Sequence, residues 1–70
     1  MTVFEFMALV SGLVEFRSSK LRLGQQAFCD LYVRFPEIGK KIDQTEDDPF
    51  YDDAKLKRFL QRILKDFVEE

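Results

Sequence analysis

Six carboxylates are crowded into residues 43–53: Asp43, Glu46, Asp47, Asp48, Asp52 and Asp53, with Pro49, Phe50 and Tyr51 set among them. Oxygen ligands in such number suit a hard cation, calcium or magnesium. The spacing does not support that chemistry. The alternating Asp-x-Asp-x-Asp-Gly of a calcium loop is missing, and no glycine follows Gly39. Paired carboxylates also serve glycoside hydrolysis, but they need a cleft, and so short a chain implies none.

Other reactive groups are sparse. The chain has no His and a single cysteine, Cys29. Without His, the zinc-protease helix motif and the His-dependent triads are excluded, and one Cys with no His cannot build a structural zinc site. A thiolate nucleophile ordinarily needs a neighbouring base, so Cys29 reads as a small buried hydrophobe on a helix. The three glycines are isolated and form neither a dinucleotide fingerprint nor a phosphate loop. The sequence therefore reads as a non-enzyme that needs no cofactor and no metal.

Phe50 and Tyr51 remain to be explained, because two large aromatic side chains sit in a charged loop. One reading has them fold back and plug the end of the helical core. The other makes them an aromatic anchor with an acidic rim, the makeup of a protein-binding hot spot. The two divide the pair if Phe50 is buried and Tyr51 half exposed. The candidate partner-binding residues are thus Asp47, Asp48, Phe50 and Tyr51, with Asp52 and Asp53 assigned to capping and Pro49 to the turn.

The elements that would position this segment are helical. Thr2 and Glu5 have the spacing of a capping box, and Val3, Phe6, Met7, Val10, Leu13 and Val14 recur at helical intervals, predicting a helix over about 2–16. Phe4, Leu9 and Phe16 widen its apolar surface beyond one face, so it either is buried on most sides or shares a second face with a partner. A homodimer through this helix is expected on that ground. Ser18 or Ser19 is placed to cap a second helix over about 19–34, with Leu21, Gly24, Phe28, Leu31, Tyr32 and Phe35 facing inward. Pro36 ends it and begins a short extra helix over about 37–42, with Ile38 and Ile42 inward. Asp52 or Asp53 then caps a last helix over about 53–69, whose stripe runs Leu56, Phe59, Leu60, Ile63, Leu64, Phe67 and Val68. Gly12 and Gly24 would let two neighbouring helices approach closely. Strand alternation and hairpin turn signals are absent. The expectation is an all-α single domain over residues 1–70, a three-helix bundle with one short extra helix.

Composition agrees. Hydrophobic residues make up 46% of the chain and eight of them are Phe, enough for a core at this length. One Cys allows no internal disulfide, which fits a reducing compartment. The apolar run from Phe6 to Val14 is far shorter than the roughly 20 residues a spanning helix needs. Basic residues cluster at Arg17, Lys20, Arg22 and Arg34, and again at Lys55, Lys57, Arg58, Arg62 and Lys65. Each cluster reads as a solvated helix face, and a nucleic-acid-binding regulator is the alternative function. The net charge of −2 opposes that alternative.

The run Leu21-Arg22-Leu23-Gly24-Gln25-Gln26-Ala27-Phe28, then Pro36, Ile42 and Thr45, then Asp48-Pro49-Phe50-Tyr51-Asp52-Asp53 with Leu56, Phe59 and Leu60, resembles a pattern in small, mostly uncharacterised proteins of phage and prophage genomes. The resemblance covers about residues 21–60 and is most specific at Asp-Pro-Phe-Tyr-x-Asp. It implies a small phage-type accessory protein in the cytoplasm of a bacterial host, of the kind that binds or inhibits a host or phage protein. It carries no catalytic role, and helix one lies outside it.

Overall fold

A computed structural model describes residues 1–69; Glu70 lies outside the described residues. These residues form four α-helices and no strand: α1 Val3–Glu15, α2 Leu23–Arg34, α3 Pro36–Ile42 and α4 Leu56–Asp66, the last preceded by a 3-10 turn at Asp53–Lys55. The chain is all-α, and no described helix is long and apolar enough to cross a membrane.

The start of α1 follows from its first residues. Glu5 N–H donates to Thr2 Oγ1 (3.1 Å), and Thr2 N–H donates to Glu5 Oε1 (2.8 Å). Two amides that would otherwise lack partners at the helix end are satisfied reciprocally. The Glu5 carboxyl is held below its ordinary value by the Thr2 backbone N–H, with burial opposing and the Thr2 hydroxyl assisting.

α2 begins at Leu23, four residues later than the serine caps predicted. Ser18 Oγ instead accepts from the amides of Lys20 and Leu21, turning the chain there. Buried Gln26 fixes this linker, donating to the Phe16 carbonyl (3.0 Å) and accepting from Ser18 N–H (2.8 Å) and Arg17 Nη1 (2.9 Å). A buried amide so fully bonded repays its desolvation. α2 ends at Arg34, with Pro36 opening α3 in its first turn.

α2 is the hub: α1, α3, α4 and the 3-10 turn all pack against it. Every helix contributes to one core, with Leu9 and Leu13 from α1, Ala27, Phe28 and Leu31 from α2, Ile42 from α3, and Phe59 and Ile63 from α4. Gly24 is required by a close approach, but not one to α1. A Cβ there would overlap the Pro49 carbonyl oxygen and lie 2.8 Å from Asp53 Oδ1, so the loop, not a helix, comes close. Gly12 has nothing within 4 Å of a Cβ. The last helix stops at Asp66, short of the predicted residue 69. Beyond it the backbone turns to pair with the start of the chain: the Met1 amine donates to the Phe67 carbonyl (2.7 Å) and Glu69 N–H to the Met1 carbonyl (2.8 Å).

Candidate interaction site

The segment 43–53 is an ordered turn in which most of the carboxylates act on their own chain. Gln44 adopts a left-handed backbone, φ 61°. Asp48 stabilises that turn by accepting from Gln44 N–H through Oδ2 (2.8 Å) and from Phe50 N–H through Oδ1 (2.9 Å). Thr45 contributes a hydroxyl bond to the Ile42 carbonyl (2.6 Å). Asp-mediated turns of this kind use the short side chain to imitate backbone acceptors.

Asp47 faces α4. Its Oδ2 lies 3.0 Å from Arg62 Nη1 and its Oδ1 3.4 Å from Arg58 Nε. Arg62 also reaches Asp66: Nε lies 2.6 Å from Asp66 Oδ2, off the hydrogen-bond direction, so this buried N–H has no hydrogen-bond partner. The Asp47 hydrogen bond is the largest influence raising the Arg62 pKa further above its ordinary value, with burial opposing and Asp66 assisting. Asp47 and Asp48, named from the sequence as an acidic rim for a partner, are therefore not free at the surface. Both are half-buried and bonded within the chain.

Capping is divided between the last two carboxylates. Asp52 Oδ1 accepts from Ala54 N–H (2.9 Å) and caps the 3-10 turn, as predicted. Asp53 Oδ1 accepts from Gly24 N–H (2.9 Å), so it caps α2 from across the fold. Arg22 supports this junction, donating from Nη2 to the Phe50 carbonyl (2.7 Å), with Nη1 3.7 Å from Asp53.

The aromatic pair divides, but both residues lie further out than expected: Phe50 is half-buried rather than buried, and Tyr51 is exposed rather than half exposed. Phe50 is half-buried and meets Phe28 edge-on, centroids 6.0 Å apart. Phe28 in turn packs against Phe59, so Phe50 extends the core. Tyr51 rests edge-on against Phe50 at 4.8 Å and is 82% exposed. Beside it lies a depression of about 210 Å³ lined by Gln44, Thr45, Asp48, Tyr51, Asp52 and Lys55.

A second surface was only partly legible in the sequence. On α1, Val3 is 43% exposed, Phe4 83%, Met7 56% and Val14 78%. The same helix buries Leu9 and Leu13 inward, so α1 is apolar on two faces. Its width in the sequence was the signal; which face stayed outside required the packing.

The basic clusters are partly neutralised. Arg22, Arg58 and Arg62 each pair with a carboxylate, and Arg17 is bonded to backbone carbonyls and Gln26. Cys29 is half-buried; burial, with Asp30 adding, pushes its thiol pKa up, which disfavours the thiolate. No group of three or more Cys, Asp or Glu side chains converges as a metal site among the described residues. No protein-family model, curated protein or solved structure matches this chain.

Proposed function

We propose that this chain is a protein-interaction module, a small phage-type accessory protein of the bacterial cytoplasm that binds or inhibits a host or phage protein without catalysis. In this reading α1, α2 and α4 are a three-helix bundle with α3 as a short extra helix, a rigid frame for two outward surfaces. The observation that carries it is the exposed apolar face of α1, Val3, Phe4, Met7 and Val14. A large exposed apolar patch on a small protein marks a contact surface. Tyr51 supports the reading as a second anchor, since an exposed aromatic on an ordered turn costs little entropy when it docks.

The rim of that second anchor is narrower than the sequence suggested. Asp47 and Asp48 are engaged internally, so Tyr51 is the contact and the carboxylates fix the turn that presents it. The ion pairs of Arg22, Arg58 and Arg62 weigh against a nucleic-acid-binding regulator, because paired guanidinium groups release fewer counterions on phosphate. Affinity capture with the wild-type chain, Met7→Glu and Tyr51→Ala tests the module. A partner lost with either variant supports it, and identical partner lists for all three overturn it.

A further inference from the structure

Val3, Met7, Val10 and Val14 are separated by four, three and four residues, the interval of a coiled-coil seam. The seam is distinct from the one α1 uses internally, where Phe6, Leu9 and Leu13 pack against the core. Val3, Met7 and Val14 are exposed, and Val10 is half-buried beside them. Resting on the interaction-module reading, we infer that this outer seam is covered by α1 of a second copy of the chain, packed antiparallel across a two-fold axis.

The spacing of the seam suits a second copy of the same helix. Val3 and Val14 are equally far from the midpoint of the seam, and so are Met7 and Val10. Reversing a second copy therefore sets Val3 against its Val14 and Met7 against its Val10. Each layer then joins unlike heptad positions, as antiparallel packing demands. A two-fold contact must be self-complementary in this way, and the seam meets that condition. No charge interrupts the run from Phe6 to Val14, so nothing repels in the centre. Phe4 on the flank would meet the small Ser11 of the second copy. A membrane surface is the poorer match, because α1 carries Glu5 and Glu15 and no basic residue.

Size sets the strength. The exposed portions of the four seam side chains together with Phe4 amount to roughly 500 Å² per copy, so the pair buries at most about 1,000 Å², the threshold for a specific interface. The dimer is accordingly weak and reversible, and it leaves Tyr51 free for another protein.

Sedimentation equilibrium between about 10 µM and about 500 µM tests the association. The average mass is expected to climb from one chain toward two, and Met7→Glu is expected to abolish the climb while circular dichroism stays unchanged. Cysteine crosslinking tests the direction, in a Cys29→Ser background. Residues 3 and 14 of one helix are about 16 Å apart, beyond disulfide reach. An antiparallel pair joins residue 3 to residue 14, so the Val3→Cys/Val14→Cys chain forms covalent dimers under mild oxidation and neither single variant does, whereas a parallel pair would crosslink each single variant as well. A wild-type chain that stays monomeric, a Met7→Glu chain that still dimerises, or crosslinking by the single variants overturns the inference. If the wild type is monomeric yet Met7→Glu still loses a captured partner, the dimer falls and the module reading survives. If neither effect is seen, the α1 surface falls with it. A monomer that cosediments with phosphatidylglycerol vesicles through the same residues also overturns the dimer.

Discussion

Asp53 Oδ1 accepts the Gly24 N–H at 2.9 Å, and this bond ties the acidic turn to the first turn of α2. The cap residue of α2 is Arg22, whose side chain makes no capping bond. A carboxylate twenty-nine positions along the chain supplies the missing acceptor and the favourable charge at the helix N-terminus. Asp53→Ala is expected to cost about 1–2 kcal/mol, the cost of a lost N-cap. Asp52→Ala, which removes the acceptor of a three-residue turn, should cost less. Urea denaturation of both variants checks the order, and equal losses would contradict the cross-fold cap.

Gly12 of α1 and Gly24 in the first turn of α2 are expected to respond to alanine with opposite signs. A methyl at Gly12 meets nothing within 4 Å, so Gly12→Ala should stabilise by about 0.5–1 kcal/mol through helix propensity alone. A methyl at Gly24 meets the Pro49 carbonyl and Asp53. It must displace the turn, and Gly24→Ala should destabilise by about 1–3 kcal/mol despite the better helix former. Thermal midpoints of the two variants decide this.

Phe50 and Tyr51 are adjacent in sequence and should separate in effect. Phe50 packs against Phe28 and extends the core, so Phe50→Ala is expected to cost about 2 kcal/mol, less than a fully buried Phe→Ala change. Tyr51→Ala removes an exposed ring and should alter stability by no more than about 0.5 kcal/mol. Retained stability in Tyr51→Ala makes its capture experiment a test of binding rather than of folding. A large loss would show that the ring is structural.

Local signals were the legible ones. The Thr2–Glu5 capping box, the stop before Pro36 and most of the stripe of α4 depend on residues within one or two turns and are found in the structure; of the stripe, Leu64 is exposed and Phe67 and Val68 pack on the core from beyond the end of the helix. The α2 cap was not legible, because Asp53 is distant in sequence and nothing in the local spacing showed that the amide it accepts from would be that of Gly24. Asp47 misled for a related reason. An aspartate in an acidic run reads as solvated until Arg58 and Arg62 are known to face it across the fold. Gly24 carried a true signal, a close approach, but sequence alone could not say that a loop rather than α1 would make it. Gln26 was passed over because a polar residue on an apolar face gives no sign of the linker carbonyl and amide it satisfies.

The capping box of α1 makes the stability of the chain depend on pH in a defined direction. The Thr2 N–H holds the Glu5 carboxyl below the ordinary value of 4.5. A carboxyl whose pKa is lower folded than unfolded contributes fully above its unfolded value, and the contribution disappears as pH falls through the folded value. Glu5→Gln keeps an acceptor but removes the charge, so it should lower the urea midpoint at pH 7 and leave it near the wild-type midpoint once both chains are measured well below pH 4.5. Glu5 is exposed, and the displacement should be small and further reduced by salt. Thr2→Ala removes the hydroxyl acceptor of the Glu5 N–H and should cost about 1 kcal/mol at pH 7, with a somewhat smaller cost in acid because the same hydroxyl assists in lowering the Glu5 carboxyl. A Glu5→Gln effect that persists undiminished in acid would show that the side chain acts through shape and not through its charge.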